Sequence, residues 1–491
     1  MERSIKRRDR GTNRSNMATA PAYLERMPTE ILLRIGKHVS VRSWGGYLEG
    51  KAYARLARLA LVSKQLNQIA NELMYNDADY IVEADIDTCA RLLSAAAAEG
   101  SVIPKLLRRL KLSVGMFQDL VETRKLPGAQ GFDNSFLKKL KRTIQAAPTS
   151  PVFKPSNLAE DLVCLVQCQH AASITSVLLY FTPRVRELDI GGDFYNSDWN
   201  EPTGWLACVG NLAYLECLTC ELIRFTYIAE MMRAPKIKRI LLIDPRMDAQ
   251  PEELDTMRRS LAGVSSTLET LHVKNLDRSY YCDSILDMFA VFIEHCPALR
   301  ELILTIDRSG VFPEESMWDR PVDYRKLIDL AVARAPRLEV LRVATNIKTT
   351  CGPVLDLVRR ATNLVELELP LAVVTPDTWV DSGIFSALGG QVRRLWIGGF
   401  CCESLREWIE PGGRIGTFLE SRKRDLLLAP SLVDVILFGG GDLRFDFKAI
   451  ELDDGPSLVN DKRVHRLLTP VGQAARAQSI SIYYWLETCG F

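Results

Sequence analysis

One short pattern recurs along this 491-residue chain: an aliphatic, two other residues, an aliphatic, one other, an aliphatic. It occurs as LRRLKL at 107, VRELDI at 185, LAYLEC at 212, IKRILL at 237 and LETLHV at 268. It continues as LRELIL at 299, LEVLRV at 338, LVELEL at 364, VRRLWI at 392 and LVDVIL at 432. From 185 onward, successive starts lie 25 to 40 residues apart. The bare pattern decides little, because about seven matches arise by chance at this aliphatic content. Its context decides more. Proline stands two residues before the first aliphatic in five units, at Pro183, Pro235, Pro297, Pro336 and Pro430. Proline ends helices and pushes the residue before it toward extended backbone. Helical stretches such as ILDMFAVFIEHCP and RKLIDLAVARAP precede the pattern. Each unit therefore reads as helix, stop, strand. Units of this size bury their apolar faces only by stacking on one another.

That alternation is the leucine-rich-repeat arrangement, with short parallel strands stacked side by side. Phrases such as HCPALRELIL and RAPRLEVLRV resemble the repeats of fungal-type F-box leucine-rich-repeat proteins. The Asn ladder position of regular repeats is missing, and 78 residues separate the units at 107 and 185. KLPGAQGFDN and APTSPVFKPS mark an insertion at about 113–156 in that gap. In a pleated strand, residues between the buried aliphatics face the other way. The middle row then reads Lys111, Asp189, Glu216, Leu241, His272, Ile303, Arg342, Glu368, Trp396 and Ile436. No charge sign dominates it, which argues against a phosphate-binding groove. Arg342, Glu366, Glu368, Arg394 and Trp396 fall on adjacent strands. They form either a substrate-binding patch, since Arg and Trp are favoured at interfaces, or simple cross-strand charge pairing.

The N-terminal segment has another texture. LERMPTEILLRIGKHV at 24–39 predicts a helix opened by Pro28, with Ile31, Leu32, Ile35 and Val39 on one arc. A second helix follows in AYARLARLALV, with Leu56, Leu59 and either Leu61 or Val62 turned inward. A third, SKQLNQIANELMY, carries a Leu66, Ile69, Ala70, Leu73 stripe and a capping Ser63. Three short helices make a marginal core. Their apolar surplus fits burial against another chain or against the rest of this one.

Met27-Pro28-x-Glu30-Ile31-Leu32-x-x-Ile35, then Leu59-x-Leu61-Val62-Ser63-Lys64 and Ile69-Ala70, resembles an F-box across about residues 22–75. Met27 stands where that family usually has Leu, and Leu66 where Trp or Phe is common. The resemblance implies a three-helix motif that docks on the Skp-type adaptor of a cullin–RING ubiquitin ligase. It nominates Leu24, Met27, Pro28, Ile31, Leu32, Leu61, Val62 and Leu66 as adaptor contacts. The expected organisation is a basic tail (1–20), the F-box (22–78), an irregular leucine-rich-repeat horseshoe of α-β solenoid class (79–440) and a C-terminal cap (441–491). SISIYYWLE would close that cap as a strand.

Composition excludes little. Net charge is +1 and 47% of residues are apolar, so nothing global points to nucleic acid or a membrane. The twelve cysteines follow no disulfide framework. Cys217 and Cys220 make one CxxC, and Cys164, Cys168 and His170 a looser cluster, each without the second ligand pair that structural zinc requires. The five histidines match no catalytic motif. The expectation is a non-catalytic chain without cofactor or metal, cytoplasmic or nuclear. It would be the substrate receptor of an SCF-type ligase or, alternatively, a non-ligase repeat scaffold whose helical segment packs on its own chain.

Overall fold

The computed structural model describes residues 27–39, 50–75, 80–82, 100–113, 177–191, 212–221, 228–245, 251–274, 282–306, 324–345, 355–370, 383–398, 402–410, 412–439, 457–459, 462–466 and 470–486, with a few isolated positions between them. The chain divides into two compact units. Leu24, the tail, the 113–156 insertion but for isolated positions, and the Cys164–His170 cluster lie outside the described residues.

The first unit holds α1 (Thr29–Val39), α2 (Gly50–Ala60) and α3 (Lys64–Tyr75). Glu30 in the first turn of α1 and Lys37 and His38 in its last turn complement the helix dipole. Ser63 caps α3, its Oγ accepting the Leu66 N–H at 3.2 Å. The core of the unit is Leu32 from α1, Leu56 from α2, and Leu66, Ile69, Ala70 and Leu73 from α3. The predicted arc of α1 splits. Leu32 faces in, while Ile31 and Ile35 are exposed. The inward turn after Leu32 belongs to Gly36, where a Cβ would stand 2.3 Å from Leu73 Cδ1. A glycine inside a helix costs about 1 kcal/mol relative to alanine, and here it lets α1 approach α3. The expectation that Leu61 or Val62 faces inward is corrected: α2 stops at Ala60, and both project from the turn after it.

The second unit carries the repeats. Its strands include β3 (Glu187–Gly191), β4 (Cys217–Glu221), β5 (Arg239–Ile243), β6 (Thr270–Lys274) and β7 (Glu301–Ile306). They continue as β8 (Val340–Thr345), β9 (Glu366–Pro370), β10 (Arg394–Gly398) and β11 (Asp434–Gly439). Every neighbouring pair from β3 to β11 is parallel. Two strands precede them in the chain, the three-residue β1 (Tyr80–Val82) and β2 (Arg109–Ser113), of which β2 lies beside β3. Between strands run α4 (Ile228–Met231), α5 (Pro251–Leu261), α6 (Cys282–Glu294), α7 (Tyr324–Arg334), α8 (Leu355–Arg360), α9 (Gly383–Ala387), α10 (Cys402–Ile409) and α11 (Arg414–Arg424). The chain then adds β12 (Ser457–Val459), β13 (Lys462–Arg466), α12 (Pro470–Arg476) and β14 (Ser481–Leu486). SISIYYWLE does supply a strand: β14 lies parallel to β11. The antiparallel β13 and β12 then finish that edge.

A repeated turn explains the proline. The N–H of the first aliphatic donates to the carbonyl three residues back, as in Val185 to Thr182, Ile237 to Ala234, Leu299 to Cys296, Leu338 to Ala335 and Leu432 to Ala429. Proline then occupies the second position of a β-turn, where its fixed φ is already correct. The residue that opens each of these turns is small and buried. One carbonyl per repeat then accepts two N–H groups from the next repeat. Arg186 O takes Glu216 and Cys217, Glu216 O takes Lys238 and Arg239, and the series runs to Arg393 O with Val433 and Asp434. This backbone ladder joins repeats that have no Asn ladder.

The ladder corrects one unit. The register pairs Leu188 with Leu218 and Ile190 with Cys220, so the fourth strand is read from Leu215 as LECLTC, not from Leu212. Both frames satisfy the pattern. Leu212 is instead a turn residue, its carbonyl accepting the Leu215 N–H at 3.3 Å. Thr219 therefore replaces Glu216 in the middle row. The buried aliphatics of each strand, such as Leu271, Val273, Leu302, Leu304, Leu341 and Val343, are essentially inaccessible. Repetitive parallel strands with intervening helices, joined in chain order, define a leucine-rich-repeat-type fold.

Candidate functional site

Seven of the eight nominated adaptor contacts are among the described residues, and they separate by burial. Pro28 is exposed at the mouth of α1, its carbonyl accepting the Ile31 and Leu32 N–H groups at 3.0 and 3.1 Å. Met27 is half-buried. Ile31 is 41% exposed, Val62 65% and Leu61 85%. Leu32 and Leu66 are each 2% exposed and fill the core of the unit. Ile35, on the face of Ile31 one turn on, is exposed as well. The first unit thus displays aliphatic side chains that its own core does not use. Removing such surface from water is worth about 25 cal/mol per Å².

The five nominated substrate contacts do meet. Strand register sets Arg342 beside Glu368, Glu368 beside Trp396, and Glu366 beside Arg394. Glu366 lies at the centre. Its carboxylate accepts from the Arg342 guanidinium, from Arg394 at 3.4 Å and from the Trp396 indole N–H at 2.6 Å. Arg394 also reaches Asp434 at 3.3 Å, and Arg342 stands over the Trp396 ring at 5.0 Å. Trp396, Glu368 and Glu366 are buried, and the Arg394 side chain keeps 32% exposure. The charge pairing that pleat geometry allowed is present. Of the five, Arg394 is the one that solvent reaches well.

Burial changes along the middle row. Asp189, Thr219, Leu241, His272, Ile303 and Arg342 are half-buried, whereas Glu368, Trp396 and Ile436 are buried. No periodicity argument reaches this difference, because it depends on what lies over the sheet and not on the strand.

The CxxC of β4 cannot act as a unit. Cys217 is half-exposed and Cys220 buried, in a strand whose sides alternate, so the thiols point to opposite faces. Burial raises the pKa of Cys217, and raises those of Cys220 and Cys296 much further. At neutral pH all three are thiols, and thiolate is the reactive form. Maleimide should label Cys217 slowly in the native protein and leave Cys220 and Cys296 unmodified until denaturant is added. Fast labelling of Cys220 at pH 7 would contradict this placement. Among the described residues no three His, Cys, Asp or Glu side chains are arranged to hold a metal ion. No described helix is long and apolar enough to cross a membrane.

No protein-family profile and no curated protein matches the chain. Among solved structures it is similar to an internalin from Listeria monocytogenes, at 13% identity over 81% of this chain and 92% of that one, with a TM-score of 0.31. That superposition is too loose to argue from. The repeat class rests on the turn, the carbonyl ladder and the parallel register.

Proposed function

We propose that this chain is a non-catalytic protein-binding receptor, the substrate-recognition subunit of an SCF-type cullin–RING ubiquitin ligase. The F-box resemblance of residues 22–75 supplies the adaptor, and the exposure of Ile31, Leu61 and Val62 carries the reading. These three belong to the nominated adaptor contacts and serve no core of their own unit. The repeat unit would hold the protein substrate, and its contribution to ubiquitin transfer would be proximity. A second reading, a non-ligase scaffold, draws on Leu32 and Leu66, which are packed inside their own unit.

Capture of a Skp-type adaptor separates the two. The informative variant is Ile31→Asp with Leu61→Asp, because neither side chain supports the fold. Leu32→Asp would unfold the unit and mimic lost binding. Wild-type chain should co-purify with the adaptor, and the double variant should bind about 30-fold more weakly or worse, with an unchanged melting temperature. No capture by wild type, or equal capture by the variant, removes the ligase reading.

A further inference from the structure

The turns that lead into parallel strands all lie along one edge of the sheet, and on β8 to β11 that edge has a distinct chemistry. Arg337 and Arg393 sit in these turns and Arg359 in the last turn of α8; all three are exposed and make no ion pair among the described residues. Val365 and Val433 are exposed on the same line, one strand to either side of Arg393, and Leu427 stands 82% exposed in the turn before Val433. Asp425 fixes that turn, its carboxylate accepting the Leu427 N–H at 3.0 Å. Arg422 braces the turn that follows it, donating to the carbonyls of Pro430 and Leu432. A groove on this edge is lined by Arg300, Arg337, Glu339, Asn363, Val365 and Gln391, and within it Arg300 is held by Glu339 at 2.7 Å, which leaves Arg337 as its unpaired cation among the described residues. The Asn363 amide is held by the Pro336 carbonyl at 2.6 Å, and Gln391 is exposed.

We propose that this edge is a docking surface for a polypeptide segment that mixes acidic and aliphatic residues. The guanidinium groups match carboxylates, and the valines and Leu427 match aliphatic side chains. Strands about 4.8 Å apart spread the four turns into β8 to β11 over about 14 Å, a length that about five residues of an extended peptide span. Gln391 offers its amide, and Asn363 its amide oxygen, to that segment's backbone. A nucleic acid suits the edge less well. Its backbone offers only negative charge and nothing for the aliphatics. A flat anionic bilayer would meet Arg393 and Leu427 but could not enter the groove. None of these residues belongs to the Glu366 cluster or to the nominated adaptor contacts, so the test needs no ligase component.

The 491-residue chain is titrated with a short fluorescent peptide of mixed Asp, Glu, Leu and Phe. Parallel titrations use a Glu/Ser peptide of equal charge, single-stranded oligo-dT, and phosphatidylcholine vesicles containing phosphatidylserine. The mixed peptide should bind most tightly at physiological salt. Arg337→Glu with Arg393→Glu should weaken it about tenfold or more, and Leu427→Ser with Val433→Ser should remove its advantage over the Glu/Ser peptide. Should the charge reversal lower the melting temperature, Arg337→Gln with Arg393→Gln carries the same test. Equal binding by these variants overturns the proposal. So does tighter binding of oligo-dT or of the vesicles than of the mixed peptide.

Discussion

Glu366→Leu should lower the stability of the repeat unit by about 3–5 kcal/mol, the usual cost of removing one partner from a buried ion pair. Glu366 is 7% exposed and receives two guanidinium groups and an indole N–H. Without it, Arg342, whose side chain keeps 11% exposure, is left with the Trp396 ring and, as its nearest carboxylate, Glu368 at 3.9 Å. That separation is too long for a hydrogen bond. Arg394 keeps Asp434 and partial access to water, so its loss is the smaller part. Replacing both ends of the main pair, Arg342→Met with Glu366→Leu, should recover most of the loss, because a matched apolar pair carries no stranded charge. Urea denaturation followed by tryptophan fluorescence reads both variants. A cost below about 1 kcal/mol for the single variant would mean that water serves the cluster, and its burial would then be wrong.

The repeat fold was legible because its signals are local and mutually consistent. A proline and an aliphatic two residues later encode a β-turn that ends a helix and starts a strand, and neither step needs a distant residue. The error at Leu212 has the same origin. Leu212, Leu215 and Leu218 are spaced by three, so two frames satisfy one pattern, and only inter-strand pairing separates them. Gly36 was missed as a packing residue because hydrophobic periodicity scores side chains and glycine has none. A glycine inside an amphipathic helix was still a signal. The arc of α1 was found, but whether Ile31 or Leu32 faces the core is set by where α3 lies. The companions of Trp396 were named from register alone. Its burial, in a row that is half-open from Asp189 to Arg342, could not be read from any single strand.

Phe418→Ala should cost about 3–5 kcal/mol, and the loss should stay local. Phe418 on α11 stacks on Phe385 of α9 with ring centroids 4.0 Å apart, and Trp408 of α10 stands 6.3 Å from Phe385. All three rings are at most 2% exposed, so truncation leaves a cavity bounded by large rigid groups that cannot collapse far. In a stacked architecture each repeat touches only its neighbours, and stability is close to a sum of nearest-neighbour terms. Hydrogen exchange should therefore show amides of β10, β11 and β14 losing protection while those of β4 to β7 keep theirs. A uniform drop along the chain would mean that the repeats unfold as one cooperative block. The distinction matters for the basic and aliphatic edge, whose groove lies on the turns into β7 to β10. If opening is local, the variant should lose affinity there only in so far as β10 and its turn fray. The ratio of lost protection at β10 to that at β8 would then measure how rigidly the solenoid holds a docking surface built on consecutive repeats.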